Sequence, residues 1–196
     1  MQQTTDGGYI ICGETNSFTA FGETDVYLIK TDNNGVEQWY QTYGWMYNDL
    51  GHSVQQTADG GYIICGSKNT PPNASGVDIP VKVYLIKTDA NGTEQWSQLF
   101  GGGAPFSAGN SVQQTTDGGY IVCGWIYVTE CSPSEVYLIK TDGSGNVTST
   151  FNISINPNRK LEKVVDISGK QTKPQTNTPF IEIYDDGTVE KKIIIE

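Results

Sequence analysis

The apolar residues of this chain fall in short runs of strand length, each closed by a turn signal. YIICG (62–66) and VYLI (83–86) are continuous apolar runs, and SVQQT (53–57) before them is short and polar. Between them, Ala58-Asp59-Gly60-Gly61 reads as a tight turn, because two glycines take positive φ without steric cost. Thr88-Asp89-Ala90-Asn91-Gly92 carries the Asn-Gly hairpin signature, and EQW (94–96) opens a last strand. The pattern predicts four strands in a meander. Its two central strands are apolar throughout, so they need cover on both faces.

The pattern occurs three times. MQQTTDGGYIICG (1–13) returns as VQQTADGGYIICG (54–66) and VQQTTDGGYIVCG (112–124). VYLIKTD stands unchanged at 26–32, 83–89 and 136–142. The turn aspartates Asp6, Asp59 and Asp117 are 53 and 58 residues apart. Four-stranded meanders of roughly 50 residues, stacked face to face, describe propeller blades. The expected fold is therefore all-β: three four-stranded antiparallel blades at about 1–43, 51–100 and 109–152, a partial β-propeller, with a small C-terminal β domain at 153–196. The third unit has Asn146-Val147-Thr148-Ser149 where EQW should be, which fits a degenerate last repeat. Propellers typically close with about four to eight blades. Met1 also takes the position of Val54 and Val112. The simplest account is a fragment whose upstream blades and signal peptide are missing. A partner chain completing the ring and an open array are the alternatives.

The order of polar strand, turn, YIICG, variable loop, VYLIKTD, turn and Trp is similar to the kelch-like β-propeller repeat over residues 1–152. Cys-Gly stands where the kelch pattern has Gly-Gly. Longer repeats of this kind resemble the propeller arrays of secreted proteins from Bacteroidetes-type bacteria.

Residues 157–196 do not fit the repeat. Residues 161–167 are strand-like, Ser168-Gly169 is a turn, 180–184 alternates apolar and polar, and Asp185-Asp186-Gly187 turns the chain into 189–195. This predicts one strand followed by a hairpin, in a piece too small for a large core of its own. KVVDISGK (163–170), the run at 177–184 and DDGTVEKKIIIE (185–196) resemble the C-terminal sorting domain of the bacterial type IX secretion system. The match rests on Val165, Asp166, Gly169, Tyr184, Asp186, Gly187, Lys191 and Lys192, with Asn156 and Pro157 at its opening. The strand that usually follows that opening is shortened here. The resemblance implies a secreted or outer-membrane, cell-surface product and a partner in the type IX machinery. The alternative is a small sheet that closes the propeller.

Charge sharpens this division. Residues 1–156 carry 5 Lys and 15 Asp+Glu, whereas 157–196 carry 7 basic and 7 acidic residues. The net charge of −10 argues against a nucleic-acid partner. No apolar run approaches the ~20 residues of a membrane helix, and no signal peptide starts the chain.

Candidate chemistry is sparse. Cys12, Cys65 and Cys123 share one repeat position and read as buried small hydrophobes, without the close spacing of zinc ligands. Cys131 lies in a loop, where a bridge to Cys123 is conceivable in a secreted protein. The turns beginning at Asp32, Asp89 and Asp142 faintly resemble calcium loops, but a hairpin turn explains them, so no metal and no cofactor is expected. Asp6, Asp59 and Asp117 would be further candidates if calcium bound. His52 is the only histidine, and no nucleophile or phosphate-loop motif accompanies it. Gly101-Gly102-Gly103 reads as a flexible link. An acid pair for glycoside hydrolysis does not stand out of the repeat.

Antiparallel strands put the short constant turns on one face and the variable loops (14–25, 44–51, 67–82, 101–109 and 125–135) on the other. Those loops carry Trp45, Tyr47, Phe106, Trp125 and Tyr127, the candidate ligand-binding face. Such aromatics stack on sugars or anchor a protein, or else pack locally. The expectation is a non-enzymatic binding or adhesion module for a glycan or surface-protein ligand. The alternatives are a fragment of a secreted polysaccharide- or protein-degrading enzyme and a structural spacer.

Overall fold

The computed structural model describes residues 1–17, 22–44, 46–72, 80–129, 133–153, 160–185 and 189–192. Among the described residues every regular element is a β-strand, so the fold is all-β with antiparallel sheets. The chain divides into two compact units, 1–153 and 154–196.

The first unit has three meanders. The first comprises β1 (Gln2–Gln3), β2 (Tyr9–Thr15), β3 (Asp25–Thr31) and β4 (Glu37–Tyr43). The second comprises β5 (Asp49–Gln56), β6 (Tyr62–Asn69), β7 (Val81–Thr88) and β8 (Glu94–Phe100). The third comprises β9 (Phe106–Gln114), β10 (Tyr120–Tyr127), β11 (Glu135–Thr141) and β12 (Val147–Ile153). A single parallel bridge, Val81 to Phe106, joins the second and third meanders into one eight-stranded sheet.

The strands β5 and β9 start at Asp49 and Phe106, ahead of positions 51 and 109 expected from the repeat. Each is bulged: the register shifts between Gly51 and Ser53 against β6, and β9 shifts where it meets Cys123 and Gly124. The bulge explains the glycine after the cysteine in the second and third repeats, whereas a Cβ on Gly13 of the first would meet nothing. A Cβ on Gly66 would strike the Leu50 carbonyl, and one on Gly124 the Ala108 carbonyl.

The Asp-Gly-Gly turn is built around a lysine. Lys87 Nζ donates to Asp59 Oδ2 at 2.9 Å, to the Thr88 carbonyl at 2.8 Å and to Gln95 Oε1 at 3.3 Å. Thr57 Oγ1 and the Gly61 N–H donate to Asp59 Oδ1 at 2.5 and 3.0 Å. Lys30 with Asp6 and Lys140 with Asp117 repeat the pair at 2.8 Å each. The second glycine leaves room for this lysine: a Cβ on Gly61 would sit 2.7 Å from Lys87 Nζ and collide with the Thr88 carbonyl.

Two cores lie between the meanders. Ile10, Val26 and Leu28 of the first pack on Tyr62, Ile64, Tyr84 and Ile86 of the second. Ile63, Cys65, Val83 and Leu85 on the opposite face of the second pack on Tyr120, Val122, Tyr137 and Ile139 of the third. Among the described residues, only the middle meander is therefore covered on both sides. Each large aliphatic side chain fully buried there contributes about 1.5–3 kcal/mol. The same geometry corrects the expectation for the cysteines. Cys65 is buried, Cys12 is half-buried and Cys123 is exposed, because no described residue of the first unit covers the far face of the third meander.

Ring and glutamine contacts lock the meanders in series. Trp39 packs on Tyr62 and Trp96 on Tyr120, each with ring centroids 5.8 Å apart. The Gln56 N–H donates to Gln2 Oε1 and the Gln114 N–H to Gln55 Oε1, at 2.6 and 2.5 Å. In return the Thr5 and Ala58 N–H groups donate to Gln56 and Gln114 Oε1, at 2.9 and 2.8 Å. Both glutamines of the Gln-Gln pair are thus used between repeats.

In the second unit, β13 (Leu161–Asp166), β14 (Phe180–Tyr184) and β15 (Val189–Lys192) form an antiparallel sheet in that order. Among the described residues of this sheet, Val165 and Phe180 are buried. Among the described residues of the chain, no helix is long and apolar enough to cross a membrane.

Candidate functional site

At the loop ends of the first unit, a groove of about 460 Å³ opens where all three meanders meet. Glu14 comes from the end of β2, Asn48 from the residue before β5, His52 from β5, Asn69 from the end of β6 and Trp125 from β10. Leu50, Val81 and Ala108 give it an apolar floor between those polar groups. His52 sits in the β5 bulge, where its Nδ1 is 2.9 Å from the Gly109 carbonyl oxygen. That bond holds β5 against β9 and fixes the ring at the groove. Asn48 is tied to its surroundings by the Thr24 N–H at 3.0 Å and, through its own carbonyl, by the Asn69 N–H at 3.0 Å. A concave site with an aromatic wall and a few fixed polar groups suits a small polar ligand.

The aromatic candidates separate into groups. Trp125 meets Tyr127 edge-on at 5.4 Å, and Tyr127 meets Phe106 edge-on at 6.4 Å. Three of the five expected residues therefore form one cluster, of which Trp125 alone lines the large groove. Tyr47 lines a different, mostly apolar pocket of about 240 Å³ with Met46, Lys68, Pro71 and Leu99. Trp45 lies outside the described residues, as does Cys131.

A polar cluster lies in the same region. Asp49, 1% exposed, accepts from Lys68 Nζ at 2.6 Å. Asp25, 9% exposed, crowds the same point: a Cβ on Gly44 would strike Asp25 Oδ1 and lie 2.8 Å from Asp49 Oδ2. Burial pushes the Asp25 carboxyl above the usual range, and the nearby Lys68 charge only partly offsets this. Gly44 keeps the space these carboxylates need. Neither lines the groove.

The calcium candidates serve as turn formers. Asp32 Oδ1 accepts the Asn34 and Val36 N–H groups at 2.8 and 2.9 Å. Asp89 takes those of Asn91 and Thr93, and Asp142 those of Ser144 and Asn146. These donors point positive charge at the oxygens a cation would need. Among the described residues no three His, Cys, Asp or Glu side chains are grouped to hold a metal ion. Asp6, Asp59 and Asp117 face their lysines instead. The Gly101–Gly103 segment, expected to be a loose link, is a pinned turn: the Ala104 N–H donates to the Gly101 carbonyl at 2.9 Å, and Lys82 Nζ donates to the carbonyls of Gly102 and Ala104.

In the second unit, Asp166 Oδ1 accepts from the Ser168 and Lys170 N–H groups at 2.9 and 3.0 Å, and Gly169 takes φ 84° in that turn. The Ser168 hydroxyl and these amides hold the Asp166 carboxyl below its usual range. Tyr184 donates to Glu182 Oε2 at 2.8 Å, and Lys192 reaches the same oxygen at 2.6 Å. Val165 is buried in this sheet, and Lys191 pairs with Ile181 by its backbone. Asn156, Pro157, Asp186 and Gly187 lie outside the described residues.

Sequence reasoning missed Glu14, Asn48, His52 and Asn69 as a group, because they come from three strands far apart in the chain. It also missed the structural lysines, although Lys30, Lys87 and Lys140 recur at one repeat position.

No family model matches the chain. No curated protein matches it either. Among solved structures, it is similar to a tryptophan-to-alanine variant of the Synechocystis apocarotenoid oxygenase, at 13% identity and TM-score 0.46, covering 95% of this chain and 46% of that one. An ACO/RPE65 chimera aligns at 12% identity and TM-score 0.44, with the same coverage. The chain spans about half the length of these structures. These structures are an apocarotenoid oxygenase variant and a chimera that includes it, and the expectation of a non-enzyme is not carried further for this chain. A likeness this distant transfers no activity to the present chain.

Proposed function

We propose that this chain is the repeat-bearing part of a secreted or cell-surface protein whose loop-end groove binds a glycan. The observation that carries the reading is the groove itself. Trp125 supplies a ring on which a sugar face can stack, and Glu14, Asn48, His52 and Asn69 place carboxylate, amide and imidazole groups within the same 460 Å³. Protein segments are the competing ligand class, and the test separates the two. A glycan array and a peptide array are screened with the full chain and with Trp125→Ala. Binding of a glycan class, lost in the variant, supports the reading. Silence on glycans with retained peptide binding contradicts it.

In the same reading, the three meanders are kelch-like propeller blades, and residues 153–196 are a type IX sorting domain. Support comes from the head-to-tail stacking of one face of each meander on the opposite face of the next, and from the Asp166–Gly169 turn and Tyr184 hairpin at the matching positions. Attaching 153–196 to a reporter in a type IX-competent host tests the tail. Export supports it, and retention in the cell contradicts it.

A further inference from the structure

The buried polar cluster is built into the wall of the groove. Asp25 opens β3, Asp49 opens β5, and Lys68 lies near the end of β6, opposite Asp49 in the register. Each is a chain neighbour of groove residues: Thr24 precedes Asp25, Asn48 and Leu50 flank Asp49, and Ser67 and Asn69 flank Lys68. Hydrogen bonds tie the same three segments together. The Asp49 N–H donates to the Thr24 carbonyl at 2.6 Å, the Thr24 N–H to Asn48 Oδ1 at 3.0 Å and the Asn69 N–H to the Asn48 carbonyl at 3.0 Å. A displacement of Asp25 against Asp49 is therefore a displacement of the groove wall.

Two carboxylates and one ammonium share this space. Lys68 Nζ is committed to Asp49 Oδ2 at 2.6 Å and lies 4.7 Å from the centroid of the Tyr84 ring on β7. Asp25, 9% exposed, has its Oδ1 buried without a hydrogen-bond partner among the described residues. That oxygen and Asp49 Oδ2 crowd the one point where a Gly44 side chain would begin. The other neighbours bring no cation. β2 sets Thr15 opposite Asp25, with Glu14 beside it, and Glu23 lies two residues ahead. Tyr43, at the end of β4, turns its hydroxyl to the Gly92 carbonyl. With both carboxylates ionised, the cluster buries a negative charge that nothing balances, which is costly. One proton on Asp25 removes it. Burial acts in that direction, raising the Asp25 carboxyl against a partial offset from Lys68. A metal ion suits the place less well, because the ammonium already holds Asp49 and no third ligating carboxylate, His or Cys joins the group among the described residues.

We propose that Asp25 is a positioning residue that makes the groove pH-sensitive: its proton keeps the Thr24, Asn48 and Asn69 segments together, and loss of that proton to water drives β3 and β5 apart at their first residues. Ionised Asp25 then repels Asp49, and the Thr24–Asn48 bonds are the nearest to give way. Asn48 loses its fixed orientation in the groove. A ligand that needs the ordered wall binds the protonated form, so affinity falls as pH rises, and by reciprocity a bound ligand makes the proton harder to remove. The effect on binding rests on the glycan reading above, while the link between proton and wall rests on the cluster alone.

NMR pH titration of the labelled full chain tests that link without a ligand, with the His52 ring signals followed separately. The Asp25 carboxyl carbon should titrate above the ordinary carboxylate range, and the amides of Thr24, Asn48 and Asn69 should move with the same midpoint. Asp25→Asn should abolish that step. Asp49→Asn should lower its midpoint, because the repulsion is gone and Lys68 is released to Asp25. Circular dichroism confirms that each variant folds. An ordinary Asp25 midpoint, groove amides that follow only the His52 ring, or a step that survives Asp25→Asn overturns the proposal. So does a step abolished by calcium chloride, which marks the cluster as a cation site. Affinity for an oligosaccharide from the array, measured over the same pH series, should fall about tenfold through the Asp25 midpoint, the equivalent of a one-unit shift of that midpoint by the sugar. Asp25→Asn should lose that fall, and an undiminished fall in the variant overturns the pH control of binding. A titration step as expected with no glycan bound at any pH supports the proton link and overturns the glycan reading alone.

Discussion

Lys87 and Asp59 form an ion pair of 2.9 Å in which the two partners live in different environments: the lysine side chain is 4% exposed and the aspartate 58%. The asymmetry decides what each substitution does. Asp59→Asn leaves a buried ammonium without its counter-charge, and it should cost roughly 2 kcal/mol in urea denaturation. Lys87→Met removes the buried charge and keeps the packing of its stem, so it should cost about half as much. Asp117→Asn should cost less than Asp59→Asn, because Lys140 is 22% exposed and water already solvates it. Equal costs for all three would contradict this account of the turn.

The paired glycines of the turn should respond differently to alanine. Gly60 takes φ 85° with open space around its Cβ position, so Gly60→Ala carries backbone strain of about 1–2 kcal/mol. Gly61→Ala drives a methyl group into the Thr88 carbonyl and the Lys87 ammonium. It should be the more damaging change, with thermal melts ranking wild type above Gly60→Ala above Gly61→Ala.

Two carboxylates predict opposite pH behaviour. Burial raises Asp59, but the Thr57 hydroxyl and the Lys87 ammonium outweigh it and hold the group down at about 2. Its folded pKa is below the usual ~3.9, so its contribution is present above about pH 4 and is lost as pH falls toward 2. Asp25 is raised by burial, so folding favours its protonated form, and stability is lost as pH climbs above the usual carboxylate pKa. Asp25→Asn should therefore raise the Tm at pH 7 and have little effect at pH 3. A variant equally stabilised at both values would show that the charge is not the cause.

The fold is largely legible in the sequence because its signals are local and repeated. YIICG, VYLIKTD and the Gly-bearing turns each mark a strand or a hairpin, and the strands 62–69 and 81–88 appear where those runs lie. The cysteines are less legible. Their burial depends on which meander has a neighbour, and the repeat makes Cys65 and Cys123 look alike although one is covered and the other is exposed. The groove is illegible for a related reason. Glu14, Ser67 and Trp125 share one repeat position, directly after Cys-Gly, but the residue type differs each time, and they meet His52 only after three meanders stack. The lysines are available in the pattern, since a charged residue inside an apolar strand needs a partner. The repeated spacing to the turn aspartate names that partner.

The tryptophans between meanders should behave as anchors. Trp96 lies on Tyr120 and over the turn at Gly145, where a Cβ would come within 2.8 Å of the indole. Trp96→Ala should cost about 3 kcal/mol, with Trp96→Phe retaining more than half of that. Differential scanning calorimetry gives the ranking. A neutral Trp96→Ala would mean that the meanders are held by their aliphatic faces alone.

The central claim is that the loop-end groove is where a ligand sits. The most direct measurement is an NMR titration of the labelled full chain with an oligosaccharide taken from the array. The account predicts shifts at the Trp125 indole N–H and at the amides of Asn48, His52 and Asn69, with the turns at Asp59–Gly61 and Asp117–Gly119 unmoved. Shifts confined to the turn ends of the strands, or no change at the Trp125 indole on binding, would contradict it.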